Sequence, residues 1–300
     1  MLRVDMDDCI ERSRFDRAQD LLAALRPSDA RWGPDPTKWI FRGHGDSSWR
    51  LLPLVNRRKD LRRFLGDIGE LDGDDRYCVP KNKHALQLLR TFANALDSAG
   101  RDIPGGAKVM TLLNSSNVTF ALPHSDPSLE PLAALGQHHG LPTRLLDWTQ
   151  LGTNAAYFAA AASADPDATS DDIDVWALNR DIAGRMGPHD EMQVCVNLIT
   201  PLKAGNANLH AQGGVFTIAG MPFSPTEESW PLYLVTVDDA VRAAVKAGGI
   251  VEPMMRRLSF PRRECGSLLR WLSYDGITGA SLYPGLDGVV RSVAEIARYK

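Results

Sequence analysis

Apolar residues recur at Ala85, Leu88, Leu89, Phe92 and Leu96, the spacing of a helix that turns one face to a core. The same criterion predicts helices over 11–25 (Phe15, Leu21, Leu22 and Leu25, ended by Pro27), 238–247, 264–272 and 287–298. Gly248 and Gly249 supply the expected stop for the second of these. A helix of small residues follows Trp148. Thr149 or Thr153 can cap it, its alanines favour it, Tyr157 and Phe158 ride on it, and Asp165-Pro166 ends it. Asp126-Pro127, a cap followed by proline at the first helical position, opens a further helix that delivers Gln137, His138 and His139. Between these two helices, 143–149 alternates polar and apolar positions. Short apolar runs bounded by turn residues predict strands over 39–42, 49–54, 174–178, 214–219 and 233–237. Residues 69–80 are acidic and loop-like, and 100–124, poor in periodicity, are expected to form an exposed insertion. Strands mixed with helices, without regular βαβ alternation, predict an α+β fold with a mixed or antiparallel sheet flanked by helices.

Charge narrows the classes of partner. A net charge of -3 over 300 residues argues against broad, non-specific nucleic-acid binding. One local exception is the cluster Arg57, Arg58, Lys59, Arg62 and Arg63, which reads as a solvated helix face or as a phosphate contact. Cys9, Cys78, Cys195 and Cys265 form no CxxC pair and read as buried thiols of a reducing compartment. No apolar run reaches the ~18 residues of a membrane span. The acidic N-terminus is unlike a signal peptide, so a cytoplasmic protein without membrane attachment is expected.

Dinucleotide-fingerprint, Walker, zinc-protease, nucleophile-elbow and EF-hand signatures are all missing from the sequence. Adjacent His138 and His139 cannot both face one metal from a helix or strand, so no metal site is expected. Arg144 and Asp147 sit three apart in an apolar segment. They either pair with each other, or Arg144 supports a ligand while Asp147 orients its neighbours. Arg42, between Phe41 and Gly43 at a strand end, either pairs with an acid or holds a phosphate or ribose by forked hydrogen bonds, with the glycines clearing space beside it. Gly43, His44 and Gly45 lie in a turn-rich stretch where backbone can approach a ligand. Tyr157 and Phe158 are core residues or a stacking surface for a flat ring. Gln212 places a neutral amide at a strand entrance.

Phe41-Arg42-Gly43, the run from Gln137 to Thr149 (QHHGLPTRLLDWT), Ala156-Tyr157-Phe158-Ala159, Gln212-Gly213-Gly214-Val215-Phe216 and the closing SLYPGLDG from Ser281 together resemble the FRG domain family. The resemblance spans roughly 38–290. It implies an N-terminal helical segment over 1–37 and a single FRG domain over 38–300. That family is associated with bacterial conflict and phage-defence loci. Its motif order resembles, more distantly, the ADP-ribosyltransferase fold, which implies NAD as substrate. In that correspondence Arg42 is the first-strand NAD residue, and Thr149, ahead of Tyr157 and Phe158, is the second element. Gln212 stands near the place of the third-strand acid. An amide offers no charge to an oxocarbenium-like state, so either another acid, such as Glu191, Asp147 or Glu264, serves instead, or the fold binds NAD or a nucleotide without turning it over. The implied site is Arg42, Gln212, Asp147 and His139 for catalysis, with Arg42, Gly43, His44, Arg144, Thr149, Tyr157 and Phe158 holding the nucleotide. The implied partners are a nucleotide, a protein or nucleic-acid acceptor, and an antitoxin or other regulator. The alternatives are a non-catalytic nucleotide- or nucleic-acid-binding defence module, or a nuclease built on His138, His139 and Asp147.

Overall fold

The chain opens on a strand, Ile10–Arg14 (β1), where apolar spacing predicts the start of a helix; the helix proper is only Ala18–Ala24 (α1). As a sheet-edge strand, β1 buries just Ile10 fully, so it lacks the apolar alternation that marks a central strand. Trp39–His44 (β2), Arg58–Leu65 (α2), Asn82–Ser98 (α3), Gly106–Asn114 (α4) and Glu130–His138 (α5) follow. Leu146–Thr149 (β3) leads into the alanine-rich helix Gly152–Ala162 (α6). The remaining elements are Asp172–Asn179 (β4), Met186–His189 (β5), Met192–Ile199 (β6), Ala207–Ala211 (α7), Gly214–Gly220 (β7), Val237–Gly248 (α8), Met255–Pro261 (β8), Cys265–Tyr274 (α9), Gly279–Leu282 (α10) and Leu286–Ile296 (α11). This computed structural model describes residues 9–66, 69, 71–114, 127–189, 192–201, 206–220 and 235–299. The expectations at Asp126, Glu191, Tyr233 and 115–124 lie outside them.

Strands of the described residues form one sheet in the order β1-β8-β4-β2-β3-β7-β6-β5, with β1 and β8 parallel and the other pairs antiparallel. With helices packed on it, this is the α+β class. Side chains that alternate along the strands divide the interior. Ile40, Trp176, Leu178 and Met255 pack with α8, whereas Phe41, Val175, Ala177, Leu258 and Phe260 pack with α1, α6 and α9. A third cluster joins α2 to α5 with Leu145, Phe216 and Ile218 of the β3–β7 side.

Several expected elements are revised. Residues 49–54 form no strand; they run irregularly into a 3-10 turn, Leu54–Asn56, and bury Leu51 and Leu52. Part of the expected insertion is the helix α4, which buries Val109 and Leu113. Val237 begins α8 rather than ending a strand, because the Thr236 hydroxyl accepts from the Asp239 N–H as its cap. No side chain caps α6: Leu151 occupies the cap position, and Thr149 Oγ1 accepts from the Leu151 N–H (3.2 Å) instead.

Gly43 and Gly45 explain the alanines of α6. A Cβ on Gly43 would lie 2.1 Å from the Ala155 carbonyl oxygen, and one on Gly45 2.4 Å from the Ala162 carbonyl carbon. β2 therefore rests on the backbone of α6, which only glycine on one side and small residues on the other allow. The space these glycines clear is taken by the helix, not by a ligand.

A candidate anion-binding cleft where two strands part

β2 and β3 are registered at a single position, Phe41 opposite Thr149. Continued pairing would set Gly43 against Asp147, but the strands part. Arg42 fills the split, with Nη1 donating to the Asp147 carbonyl oxygen (2.7 Å) and lying 3.7 Å from its carboxylate; Nε donates to His44 Nε2 (3.1 Å). One guanidinium thus replaces the missing ladder bonds and keeps the split open.

The split widens into a cleft of about 440 Å³. Arg42, Gly43, Asp147 and Thr149 form its floor, α5 contributes Gln137 and His138, and α6 contributes Phe158. Gln212, Tyr283 and Arg291 close it from the C-terminal half, while Trp49 and Arg57 stand on the opposite rim. Three guanidiniums face one carboxylate. The Arg291 guanidinium lies 4.4 Å over the Tyr283 ring, and Tyr283 meets Phe158 edge-to-face at 6.2 Å. Arg57 makes no side-chain hydrogen bond or ion pair among the described residues. Burial pushes Arg42 down to about 10, and Arg57 adds to that fall while Asp147 opposes it, so Arg42 is still a cation at neutral pH.

A relay of hydrogen bonds aims the Asp147 carboxylate. The Leu145 N–H donates to Thr143 Oγ1 (3.1 Å), the Thr143 hydroxyl donates to Gln137 Oε1 (2.7 Å), and Gln137 Nε2 donates to Asp147 Oδ2 (2.9 Å). Each step determines the next, so the Gln137 amide has one orientation and Asp147 one anchored oxygen. The Asp147 side chain is 52% exposed and opens to the cleft. Of the three acids offered to replace a third-strand glutamate, Asp147 lines this cleft; Glu264 follows β8 in a 3-10 turn and does not.

Other expected site residues fall into place around this centre, or away from it. His44 is buried behind Arg42 and does not line the cleft; burial, and then the charges of Arg42 and Arg57, hold it well below the ordinary histidine range, so a neutral ring accepts from Arg42. Thr149 is committed, its hydroxyl donating to the Gln212 carbonyl oxygen (2.6 Å), which also accepts from Asn154 Nδ2 (3.2 Å). Gln212 lines the cleft, but its Nε2 donates to the Leu282 carbonyl (3.1 Å). Tyr157 is 1% exposed, donates to Glu295 and stays outside the cleft, so Phe158 alone of the aromatic pair reaches it. Arg144 does not line the cleft. Its guanidinium lies near Gly220 at the other end of β7 from Gly214, and burial pushes it down to about 9. His139 is exposed beyond the end of α5, and its neighbour His138 takes the cleft position, pairing through Nε2 with Asn208 Nδ2. Burial, followed by His139, lowers the His138 pKa, so its ring is neutral. Among the described residues no group of three or more His, Cys, Asp or Glu side chains could hold a metal ion, and no helix is long and apolar enough to cross a membrane.

Sequence reading overlooks Gln137, Trp49, Tyr283 and Arg291 as cleft residues. Gln137 stands in the central motif and Tyr283 in the closing one, so both carried a signal. Trp49 and Arg291 carried none, because only the fold brings them to this edge. No curated protein and no solved structure matches the chain. Residues 37–168 match the family model of the FRG domain, a span that holds Arg42, Gln137, Asp147 and Phe158 and leaves Gln212, Tyr283 and Arg291 to the remainder. The chain therefore carries an FRG-domain match over residues 37–168.

Proposed function

We propose that the cleft binds NAD and cleaves its nicotinamide–ribose bond, passing the ADP-ribosyl group to water or to a macromolecular acceptor, as an effector of bacterial conflict or phage defence. The observation that carries this reading is the pairing of an electropositive, aromatic-lined cleft with one half-exposed, oriented carboxylate. Arg42, Arg57 and Arg291 suit a pyrophosphate, and Phe158 with Tyr283 suits a flat nicotinamide ring. When the C–N bond breaks, nicotinamide leaves neutral with the electron pair, and the ribose carbon becomes cationic. A carboxylate already aimed at that position stabilises the cation without reorganising, which is the main source of rate in such a site. In this reading Asp147 takes the role the resemblance gave to a third-strand acid, and Gln212 is a wall that closes the cleft.

Nicotinamide release by the purified protein tests this directly, beside Arg42→Ala and Asp147→Ala. Loss of at least ~100-fold in both variants, with circular dichroism showing that both are folded at the assay temperature, is the expected result. Wild-type rates in either variant, or no release from the intact protein in the presence of cell extract as a source of acceptors, would overturn it.

A further inference from the structure

A second cavity of about 610 Å³ adjoins the cleft, and the two share the same two wall residues, Trp49 and Arg57. Arg57 therefore stands at a neck between two chambers, with its guanidinium uncommitted among the described residues. The lining of the second chamber differs in kind from the first. Lys59 is spent on Asp167 (2.9 Å), and Arg76 Nη2 donates to the Asp167 carbonyl oxygen (3.0 Å). Asp60 and Asp75 bring carboxylates with no hydrogen bond or ion pair among the described residues, and Asp165 adds a third. Lys59 and Arg76 keep their charges, but beyond the neck the wall sets four carboxylates, Asp60, Asp75, Asp165 and Asp167, against these two cations, so it accepts hydrogen-bond donors and disfavours a further phosphate.

We infer that the ligand is a dinucleotide lying across both chambers: its pyrophosphate at the neck on Arg57 and Arg42, its nicotinamide end beside Phe158, and its adenosine in the second chamber against Trp49. The ribose hydroxyls and the adenine amino group are donors that the chamber's carboxylates can take. A 2'-phosphate there would meet those carboxylates instead, so the site discriminates NAD from NADP. This rests on the NAD reading of the cleft and adds where the second half lies and which cofactor is refused.

Two measurements separate the inferences. In a binding titration, ADP-ribose is expected to bind at least ~10-fold more tightly than AMP, and at least ~10-fold more tightly than ADP-ribose 2'-phosphate. Arg57→Ala should remove most of the advantage over AMP, and Asp60→Asn with Asp75→Asn should bring the 2'-phosphate ratio towards one. Circular dichroism and melting curves establish that these variants are folded. In a release assay, nicotinamide mononucleotide, which keeps the scissile bond but lacks adenosine, should be cut far less efficiently than NAD. Equal efficiency on both would overturn the two-chamber inference and leave cleavage standing, as would ADP-ribose 2'-phosphate binding as well as ADP-ribose. Arg57-dependent ADP-ribose binding without any nicotinamide release would sustain the two chambers and sink cleavage. Neither binding nor release by the folded protein would overturn both.

Discussion

Asp147 and Asp174 each face an arginine, and they teach opposite lessons. Asp174, in β4, is 0% exposed and saturated: Arg257 donates to one oxygen through Nε (2.8 Å) with Nη2 2.6 Å from the same oxygen, and the Ser259 hydroxyl donates to the other (2.7 Å). Arg257 is in turn held over the Trp176 ring (5.2 Å) and donates to the Ser47 carbonyl. Asp147 is half exposed, with a single side-chain donor from Gln137 and Arg42 at 3.7 Å. Where a charge pair serves the fold, every oxygen finds a partner inside the protein. Where it lines the cleft, one carboxylate oxygen is anchored and the rest of the group faces open space.

Removing each carboxylate exposes that difference most strongly. Asp174→Ala leaves the Arg257 guanidinium without its carboxylate and should cost about 3 kcal/mol in urea denaturation. Asp147→Ala should cost less than about 1 kcal/mol in the same experiment. Equal costs would mean that the two sites do not differ in kind. The second contrast is functional. Asp147→Asn keeps an acceptor for Gln137 but removes the charge, and nicotinamide release should fall at least ~100-fold with the fold intact.

Acid sharpens the comparison from another side. Asp46, buried at the end of β2, accepts from the Ser48, Thr169 and Ser170 backbone N–H groups, which pin the 163–171 segment to the strand. Burial alone would raise its pKa, but the Ser48, Ser170 and Thr169 hydrogen bonds outweigh it and hold the group well below the ordinary carboxylate range. A carboxylate with a lowered folded-state pKa contributes stability above its unfolded value of ~3.9 and loses it as the pH falls towards the folded value. Melting temperature should therefore drop as pH is lowered through ~4, and Asp46→Asn should flatten that drop. A variant that melts with the wild-type pH dependence would show that other groups carry the acid sensitivity.

Much of this architecture was legible and some was not, for identifiable reasons. The helices α3, α6, α8 and α9 and the strands β2, β4 and β7 follow from apolar spacing and stop residues, because each buries its apolar residues; α11 follows from spacing alone, since Leu286, Val290, Val293 and Ile296 are exposed. β1 and β5 sit on sheet edges, and β8 carries Arg256 and Arg257, so alternation is weak or masked by charge. Arg42 and Asp147 stood out as charges in apolar surroundings, but their partners did not. The expected Arg144–Asp147 grouping gave way because Asp147 meets Arg42 across the split while Arg144 reaches the far end of β7. The choice between Tyr157 and Phe158 depends on helix rotation, and adjacent residues on a helix face roughly 100° apart. Their separation is readable only from what lies beyond: Glu295 for Tyr157 and Tyr283 for Phe158.

The smallest effect is expected where the sequence is most charged. The cluster around α2 is not a uniform basic patch. Arg57 turns to the neck, Arg58 donates to the Asp74 (2.9 Å) and Leu71 (3.0 Å) carbonyls, and Lys59 pairs with Asp167. Arg63 lies over the Phe64 ring at 5.5 Å, which leaves Arg62 as an exposed charge in the last turn of the helix. Counterion release requires several cations presented together to one phosphate backbone, and this arrangement spends them on separate tasks. Arg62→Ala with Arg63→Ala should change stability by less than ~0.5 kcal/mol and leave the affinity for ADP-ribose unaltered. The same pair should leave any retention on a nucleic-acid column, and its salt dependence, unaltered too. A steep salt dependence that the double variant abolishes would turn the argument round: the helix would then be the functional surface, and the cleft a structural seam between two parting strands.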